Sequence, residues 1–194
     1  RIGRLIGQRL TGGWGMTETS PAGTHIPHDA PPIPGLIGIP LPGIDMIVVD
    51  RDDPARVLAP DAVGELAIRG PNVFAGYWNR PQDNAAAFHD GWFLTGDIGA
   101  MDARGMFRLL DRKKNMIISG GFNVYPAMVE NAIYEHPSVA EVIVIGVPDA
   151  YRGEAAKAFV ALRPGAPTLT LEELQKFLAD RVGRHEMPTA LELR

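Results

Sequence analysis

Frequent glycine and proline residues separate short apolar stretches in the first half of the chain, and this is the feature that most constrains its fold. Most of the 22 glycines and 17 prolines among the 194 residues lie before residue 111. Glycine and proline at such short intervals interrupt regular structure, so only short strands and loops fit between them. The apolar and β-branched stretches predict strands over residues 44–49, 64–69, 97–101 and 106–110. We therefore expect a small twisted β-sheet or barrel with long loops.

Two details of this sheet can be predicted from local pattern. Within 64–69, the polar Glu65 and Arg69 enclose the apolar Leu66 and Ile68, a pattern typical of a strand that buries one face. Residues 102–105 begin with Asp102 and end with Gly105, which favours a tight turn between two strands.

After residue 111 the pattern changes to mixed helix and strand. Pro126 suits the first turn of a helix, and residues 139–147 and 158–162 have the composition of buried strands. Thr170 and Glu173 have the spacing of a capping box before a second helix, and Gly183 suits its end. The sequence thus predicts a mixed α/β protein: a β-rich domain over 1–111, then a compact α+β domain over 112–194, joined by a hinge.

Charge and composition narrow the function classes. A net charge of −4 argues against nucleic acid as the main partner. The chain has no cysteine, which excludes disulfides and thiolate sites, and it has no apolar run of the roughly 20 residues that a transmembrane helix needs. We expect a cytoplasmic protein, with peripheral membrane association left open.

Residues 12–19 (GGWGMTET) have the composition of a phosphate-binding loop. Glycines let backbone amides approach an anion, the hydroxyl of Thr17 can bind a phosphate oxygen, and Glu18 can hold Mg²⁺. Taken alone, the octet is equally compatible with an ordinary polar turn.

The stretch from Trp14 to Glu18 resembles the aromatic-Gly-x-Thr-Glu motif of the adenylate-forming superfamily, which includes acyl-CoA synthetases, luciferases and peptide-synthetase adenylation domains. The resemblance implies that Trp14 flanks the adenine, that Gly15 is part of the nucleotide-binding motif, that Thr17 contacts the α-phosphate, and that Glu18 coordinates Mg²⁺. Tyrosine is common at the aromatic position, so we expect Trp14 to stack on the base without supplying the hydroxyl.

Two later segments resemble further motifs of the same superfamily. Residues 95–97 (TGD) resemble the motif whose aspartate binds the AMP ribose, although an ordinary turn is the simpler reading of this tripeptide alone. Residues 111–126 resemble the interdomain hinge. By that resemblance Arg112 contacts the ribose and Lys114 is the pivot, where an acidic residue is frequent in relatives. Ser119, Gly120 and Gly121 resemble the loop that faces the active site during thioester formation, although these glycines are equally compatible with an ordinary turn.

The three segments lie in family order, and together they imply an ATP-dependent fatty-acid–CoA ligase that uses ATP, Mg²⁺ and coenzyme A. Aryl-CoA ligases and carrier-protein-loading adenylation domains stay open as alternatives, as does a non-catalytic nucleotide-binding module. The upstream phosphate loop, the acyl pocket and the terminal catalytic lysine of the family are not found in this sequence. We therefore expect the isolated chain to be inactive and to bind nucleotide weakly. Self-association or a homodimer is also expected, because a piece of a larger barrel exposes apolar surface.

Overall fold

The computed structural model describes residues 11–194, and the chain divides into two compact units between Leu110 and Asp111. The fold is mixed α/β, as predicted. The elements of the first unit and the strand that leads out of it are β1 (Thr24–His25), β2 (Leu36–Pro40), β3 (Asp45–Val49), β4 (Gly64–Arg69), α1 (Pro81–Ala87), β5 (Phe88–His89), β6 (Trp92–Met101) and β7 (Phe107–Arg112). Those of the second unit are β8 (Ile117–Ser119), β9 (Phe122–Val124), α2 (Pro126–Tyr134), β10 (Val139–Asp149), β11 (Gly153–Leu162), α3 (Leu171–Leu178) and β12 (Ala190–Leu193).

The first sheet is antiparallel, and its described strands lie in the order β1-β2-β7-β6-β4-β3, with β5 paired to the start of β6. Its apolar core contains Leu66, Ile68, Phe93 and Phe107, each at most 2% exposed. Burying such side chains contributes roughly 1.5–3 kcal/mol each. This core supports the strands that carry the candidate site.

The strand predicted over residues 64–69 is β4, but the expectation that it buries only one face is wrong. β4 lies between β3 and β6, and only Arg69 of its six residues is exposed. Glu65 is 3% exposed, and its carboxylate accepts a hydrogen bond from the Gly96 N–H at 3.0 Å. A buried polar group needs such a partner, and here the donor, Gly96, lies 31 positions later in the sequence.

Local turn chemistry was predicted correctly. The Gly105 N–H donates to the Asp102 carbonyl at 2.9 Å, and the Met106 N–H donates to the Asp102 carboxylate at 3.0 Å. The turn joins β6 to β7. β6 is longer than the predicted strand, because residues 95–97 form a bulge inside it and not a loop before it.

The second sheet has the described order β10-β11-β8-β9, and β12 pairs with β11 in parallel. The helix α2 packs on β10, and Val129, Ile133, Leu174 and Leu178 are completely buried in the core of this unit. Both predicted strands are present in longer form. β11 begins at Gly153, where it pairs with Ser119 of β8.

The capping box of α3 is confirmed, but its predicted end is wrong. The Glu173 N–H donates to Thr170 Oγ1 at 3.2 Å, and the Thr170 N–H donates to Glu173 Oε2 at 2.9 Å. The helix stops at Leu178, its last buried residue. Gly183 lies in a later turn, where the Glu186 carboxylate accepts its N–H at 2.6 Å. Across residues 11–194, no helix is both long and apolar enough to cross a membrane.

Candidate nucleotide-binding site

Backbone hydrogen bonds fix the loop around Trp14. The Trp14 N–H donates to Thr24 Oγ1 at 3.0 Å, and its carbonyl accepts the N–H groups of Gly23 and Thr24, both at 2.9 Å. The next residue, Gly15, lies so close to the neighbouring chain that a Cβ there would be 1.7 Å from the Pro21 carbonyl oxygen. Glycine is therefore required at this position for steric reasons, independently of any ligand.

A single turn of 3₁₀-helix follows, over Thr17–Thr19. The buried Thr19 side chain closes this turn, since its Oγ1 accepts the Met16 N–H at 3.0 Å. The side chain of Thr17 is exposed and that of Glu18 is half-buried. The turn thus holds a hydroxyl and a carboxylate at adjacent positions on a fixed backbone.

Residues Thr95–Asp97 form a bulge in β6. Glu65 of β4 pairs with Ile98, whereas Ala67 pairs with Leu94, so β6 has extra residues between these two pairs. Side chains satisfy the backbone groups that the bulge frees: Asp97 N–H donates to Thr95 Oγ1 at 3.1 Å, and Thr95 Oγ1 donates to the Leu66 carbonyl at 2.8 Å. Bulges of this kind redirect a side chain out of the strand's alternation.

The bulge brings Asp97 to Trp14. The indole Nε1–H donates to Asp97 Oδ2 at 2.7 Å, and Asp97 is 2% exposed. Two residues proposed from separate motifs are therefore in direct contact. We expected Trp14 to act only through its ring face, so the role of its N–H was missed; no sequence spacing connects the two positions.

Tyr77 is a second contact that the sequence did not predict. Its hydroxyl donates to Glu18 Oε1 at 3.0 Å. Partial burial raises the pKa of Tyr77 above its ordinary value of 10.0, and the hydrogen bond to the Glu18 carboxylate raises this pKa further.

The chemistry at Glu18 fits a magnesium ion held largely by phosphate oxygens. Mg²⁺ prefers oxygen ligands and is usually bound through one or two carboxylates together with substrate phosphates. Among the described side chains, no group of three or more His, Cys, Asp or Glu could hold a metal without such help. A single carboxylate on a hydroxyl-bearing turn matches that mode of binding.

The remaining predicted residues belong to the second unit. Arg112 and Lys114 are exposed at the start of this unit, and Lys114 lies in a 3₁₀ turn over Lys113–Asn115. The preceding Asp111 is buried, and its carboxylate accepts the Arg112 N–H at 2.6 Å and the Ala127 N–H at 2.8 Å. Asp111 therefore joins this segment to the first turn of α2.

Gly120 and Gly121 form the two-residue turn between β8 and β9, with φ values of +59° and +83°. Such a pair of left-handed residues is typical of a type I′ hairpin turn. The Gly120 N–H donates to the Arg152 carbonyl at 2.8 Å, which ties the turn to the residues before β11.

A cavity of about 320 Å³ lies in the same unit as this turn. Its lining includes Arg152 and Arg184. Phe122 follows the turn and His185 follows Arg184 in the sequence, and the centroids of their rings lie 5.0 Å apart. Arginine side chains are well suited to bind phosphate groups.

Comparisons with known proteins identify the class to which the chain belongs. The sequence matches the AMP-binding enzyme family over residues 1–78 and the AMP-binding enzyme C-terminal domain over residues 128–194. The chain belongs to the AMP-binding enzymes of the adenylate-forming superfamily.

Similar proteins cover nearly the whole chain. A long-chain-fatty-acid–CoA ligase of Bacillus subtilis is 44% identical over 192 residues, 98% of this chain and 34% of the relative. A feruloyl-CoA synthase of Amycolatopsis is 40% identical over 93% of this chain and 36% of the relative. The solved structure of the O-succinylbenzoate coenzyme A synthetase of B. subtilis with ATP and a magnesium ion superimposes with a TM-score of 0.85 at 33% identity, covering 99% of this chain and 39% of that protein. The chain thus spans about a third of the length of these relatives.

Proposed function

We propose that this chain is part of an AMP-forming fatty-acid–CoA ligase. In the first half-reaction the substrate carboxylate attacks the α-phosphorus of ATP and releases pyrophosphate; in the second, the CoA thiol displaces AMP and gives the thioester. The observation that carries the proposal is the 2.7 Å hydrogen bond from Trp14 to Asp97, which brings an aromatic ring and a carboxylate from separate motifs together. The similarity to long-chain-fatty-acid–CoA ligases supports the substrate class.

In adenylation, the residues of the first unit would bind and orient the nucleotide. Trp14 offers its ring to the adenine, and Asp97 accepts hydrogen bonds from the ribose hydroxyls. Thr17 donates its hydroxyl to the α-phosphate, and Glu18 would hold Mg²⁺, which when bound neutralises phosphate charge. Phosphoryl transfer depends largely on such positioning and charge neutralisation.

In thioester formation, the second unit would supply the contacts to CoA. Arg112 contributes to ribose binding, and Lys114 is the residue about which this unit turns between the two half-reactions. The turn of Gly120 and Gly121 has no side chain to obstruct a narrow pantetheine. The guanidinium groups of Arg152 and Arg184 offer sites for the phosphates of CoA. Because ATP and CoA are its co-substrates, we place the reaction in the cytoplasm.

The test is a product assay on the full-length protein with ATP, Mg²⁺, CoA and a panel of carboxylic acids. We expect AMP, pyrophosphate and fatty-acyl-CoA, with the rate falling at least a hundredfold on Asp97→Ala, which corresponds to about 2.7 kcal/mol of transition-state stabilisation. Acyl transfer to a carrier protein with none to CoA would overturn the proposal. A preference for aromatic acids would instead support an aryl-CoA ligase, in keeping with the feruloyl-CoA synthase similarity.

A further inference from the structure

The segment that follows β4 holds the Thr17–Thr19 turn at three points. The Phe74 N–H donates to the Glu18 carbonyl at 2.9 Å. The Asn72 side-chain amide donates to the Thr19 carbonyl at 2.8 Å, and the Tyr77 hydroxyl donates to the Glu18 carboxylate at 3.0 Å. Two of these contacts fix the backbone of the turn. The third reaches the carboxylate itself.

Tyr77 is itself held in place by Asn84 of α1. The Tyr77 N–H donates to Asn84 Oδ1 at 2.7 Å, and Asn84 Nδ2 donates to the Tyr77 carbonyl at 3.0 Å. The Tyr77 ring packs edge-on against Phe74, with 4.8 Å between the ring centroids. Backbone and ring are thus both fixed, so the hydroxyl has little freedom to leave Glu18.

We propose that Tyr77, held by Asn84, is a positioning residue that orients the Glu18 carboxylate for magnesium-bound nucleotide. This inference rests on the proposed function, because that function gives Glu18 its ligand. A carboxylate on a surface turn can rotate about its side-chain bonds, and ordering it at the moment of binding costs conformational entropy. A hydrogen bond to one oxygen removes part of that cost and leaves the other lone pairs to accept. Outer partners of metal ligands act in this way, and their loss typically reduces metal affinity about tenfold or more.

The experiment measures how much Mg²⁺ strengthens ATP binding to the full-length protein. The dissociation constant of ATP is determined by calorimetry in EDTA and in excess MgCl₂, and the ratio of the two values is the magnesium gain. We expect Tyr77→Phe to lower this gain about tenfold and to change ATP affinity in EDTA less than about twofold. Asn84→Ala should lower the gain about threefold through Tyr77.

Two matched controls alter side chains that, in the described structure, form no hydrogen bond with Glu18 or Tyr77. Tyr134→Phe removes a hydroxyl from another partly exposed tyrosine, and Gln82→Ala shortens an exposed side chain of the same helix as Asn84. Both should keep the full gain. A Tyr77→Phe protein with an unchanged gain would overturn the inference, as would one that loses ATP affinity equally in EDTA.

Glu18→Gln separates this inference from the proposed function. If Glu18→Gln keeps the gain, the magnesium role in the proposed function fails. If Glu18→Gln loses the gain while Tyr77→Phe keeps it, only the positioning role fails. A ligand-free measurement gives an independent readout. Glu18→Ala removes the acceptor of the Tyr77 hydroxyl, so if the two side chains interact, the Tm changes caused by Tyr77→Phe and Glu18→Ala should not add in the double variant. Full additivity would count against the contact.

Discussion

The indole N–H of Trp14 donates a 2.7 Å hydrogen bond to the carboxylate of Asp97, which lies 83 positions later and is 2% exposed. A buried carboxylate needs donors, because burial of an unpartnered charge is costly. The bond therefore stabilises the fold as well as the site. It also fixes the distance between the proposed adenine and ribose contacts before any nucleotide binds.

Trp14→Phe should therefore weaken both stability and nucleotide binding. The substitution keeps a flat ring but removes the N–H donor, and a hydrogen bond to a charged group contributes roughly 1.5–3 kcal/mol. We expect the free energy of unfolding in urea to fall by about that amount and the affinity for AMP to fall roughly tenfold. Trp78→Phe is the matched control, since Trp78 is 96% exposed; its effect should stay within about 0.5 kcal/mol. Equal behaviour of the two variants would contradict the assignment.

Features that depend on neighbouring residues could be predicted from the sequence. Two examples involve residues only three positions apart in the sequence: the capping box of Thr170 and Glu173, and the turn from Asp102 to Gly105. Their geometry follows from local backbone and side-chain chemistry. The same holds for the start of α2, where Pro126 fits the first helical position.

Features that depend on pairing between distant strands could not be predicted. Glu65 was expected on the exposed face of a strand, but a donor from Gly96 allows it to be buried. The hydroxyl of Tyr77 reaches Glu18 across 59 positions. Motifs indicated which residues are chemically suited to a nucleotide; which of them meet depends on contacts between distant segments, such as the pairing of β4 with β6 that forms the Thr95–Asp97 bulge.

Asp111→Ala should destabilise the second unit. The side chain of Tyr125, the N-cap residue, does not cap α2, and Asp111 supplies the acceptor for the Ala127 N–H. A carboxylate near a helix N-terminus is favoured by the helix dipole, and loss of a capping acceptor costs about 1–2 kcal/mol. Asp111→Asn should lose less, because its amide oxygen can accept the same N–H.

The measurement is urea unfolding, with hydrogen exchange of the α2 amides to localise the effect. Asp180→Ala serves as the control, since Asp180 is exposed and pairs only with its neighbour Arg181 among the described side chains. Surface pairs of this kind contribute little. Faster exchange throughout the unit without a larger change in α2 would argue against capping by Asp111.

Glu130→Gln should raise stability in a pH-dependent way. Glu130 lines a cavity of about 400 Å³ together with Asp111, and burial raises its pKa above the ordinary value of 4.5, with the nearby Asp111 carboxylate adding to the rise. A raised pKa means that the folded state favours the protonated carboxyl. The stability from this group is therefore complete below pH 4.5 and is lost as pH rises through the folded pKa.

Glutamine stays neutral and can still accept the Val144 N–H that Glu130 accepts at 2.7 Å. The Tm of Glu130→Gln should exceed that of the parent protein at pH 7–8, and the difference should vanish below about pH 4.5. Thermal scans across pH 4–8 check this. The exposed Glu141→Gln is the control. A difference that does not change with pH would show that the effect has another origin.

Substitutions at Gly120 separate the fold of the hairpin turn from its proposed role with CoA. A Cβ at this position would have no neighbour within 4 Å, so the backbone conformation alone limits the choice of residue. Asparagine tolerates φ near +59°, whereas a β-branched residue loses about 1–2 kcal/mol there. Gly120→Asn should therefore keep the stability of the parent protein and Gly120→Val should not.

Both variants nevertheless place a side chain on the turn. If the turn contacts the pantetheine, kcat/KM for CoA should fall roughly tenfold or more in both, while pyrophosphate exchange, which reports adenylation, changes less than about twofold in Gly120→Asn. Gly165→Asn makes the same substitution at another open, left-handed glycine of this unit, with φ of +78°, and should leave both rates unchanged. A stable Gly120→Asn protein with full CoA turnover would mean that Gly120 serves the hairpin turn and not the binding of CoA.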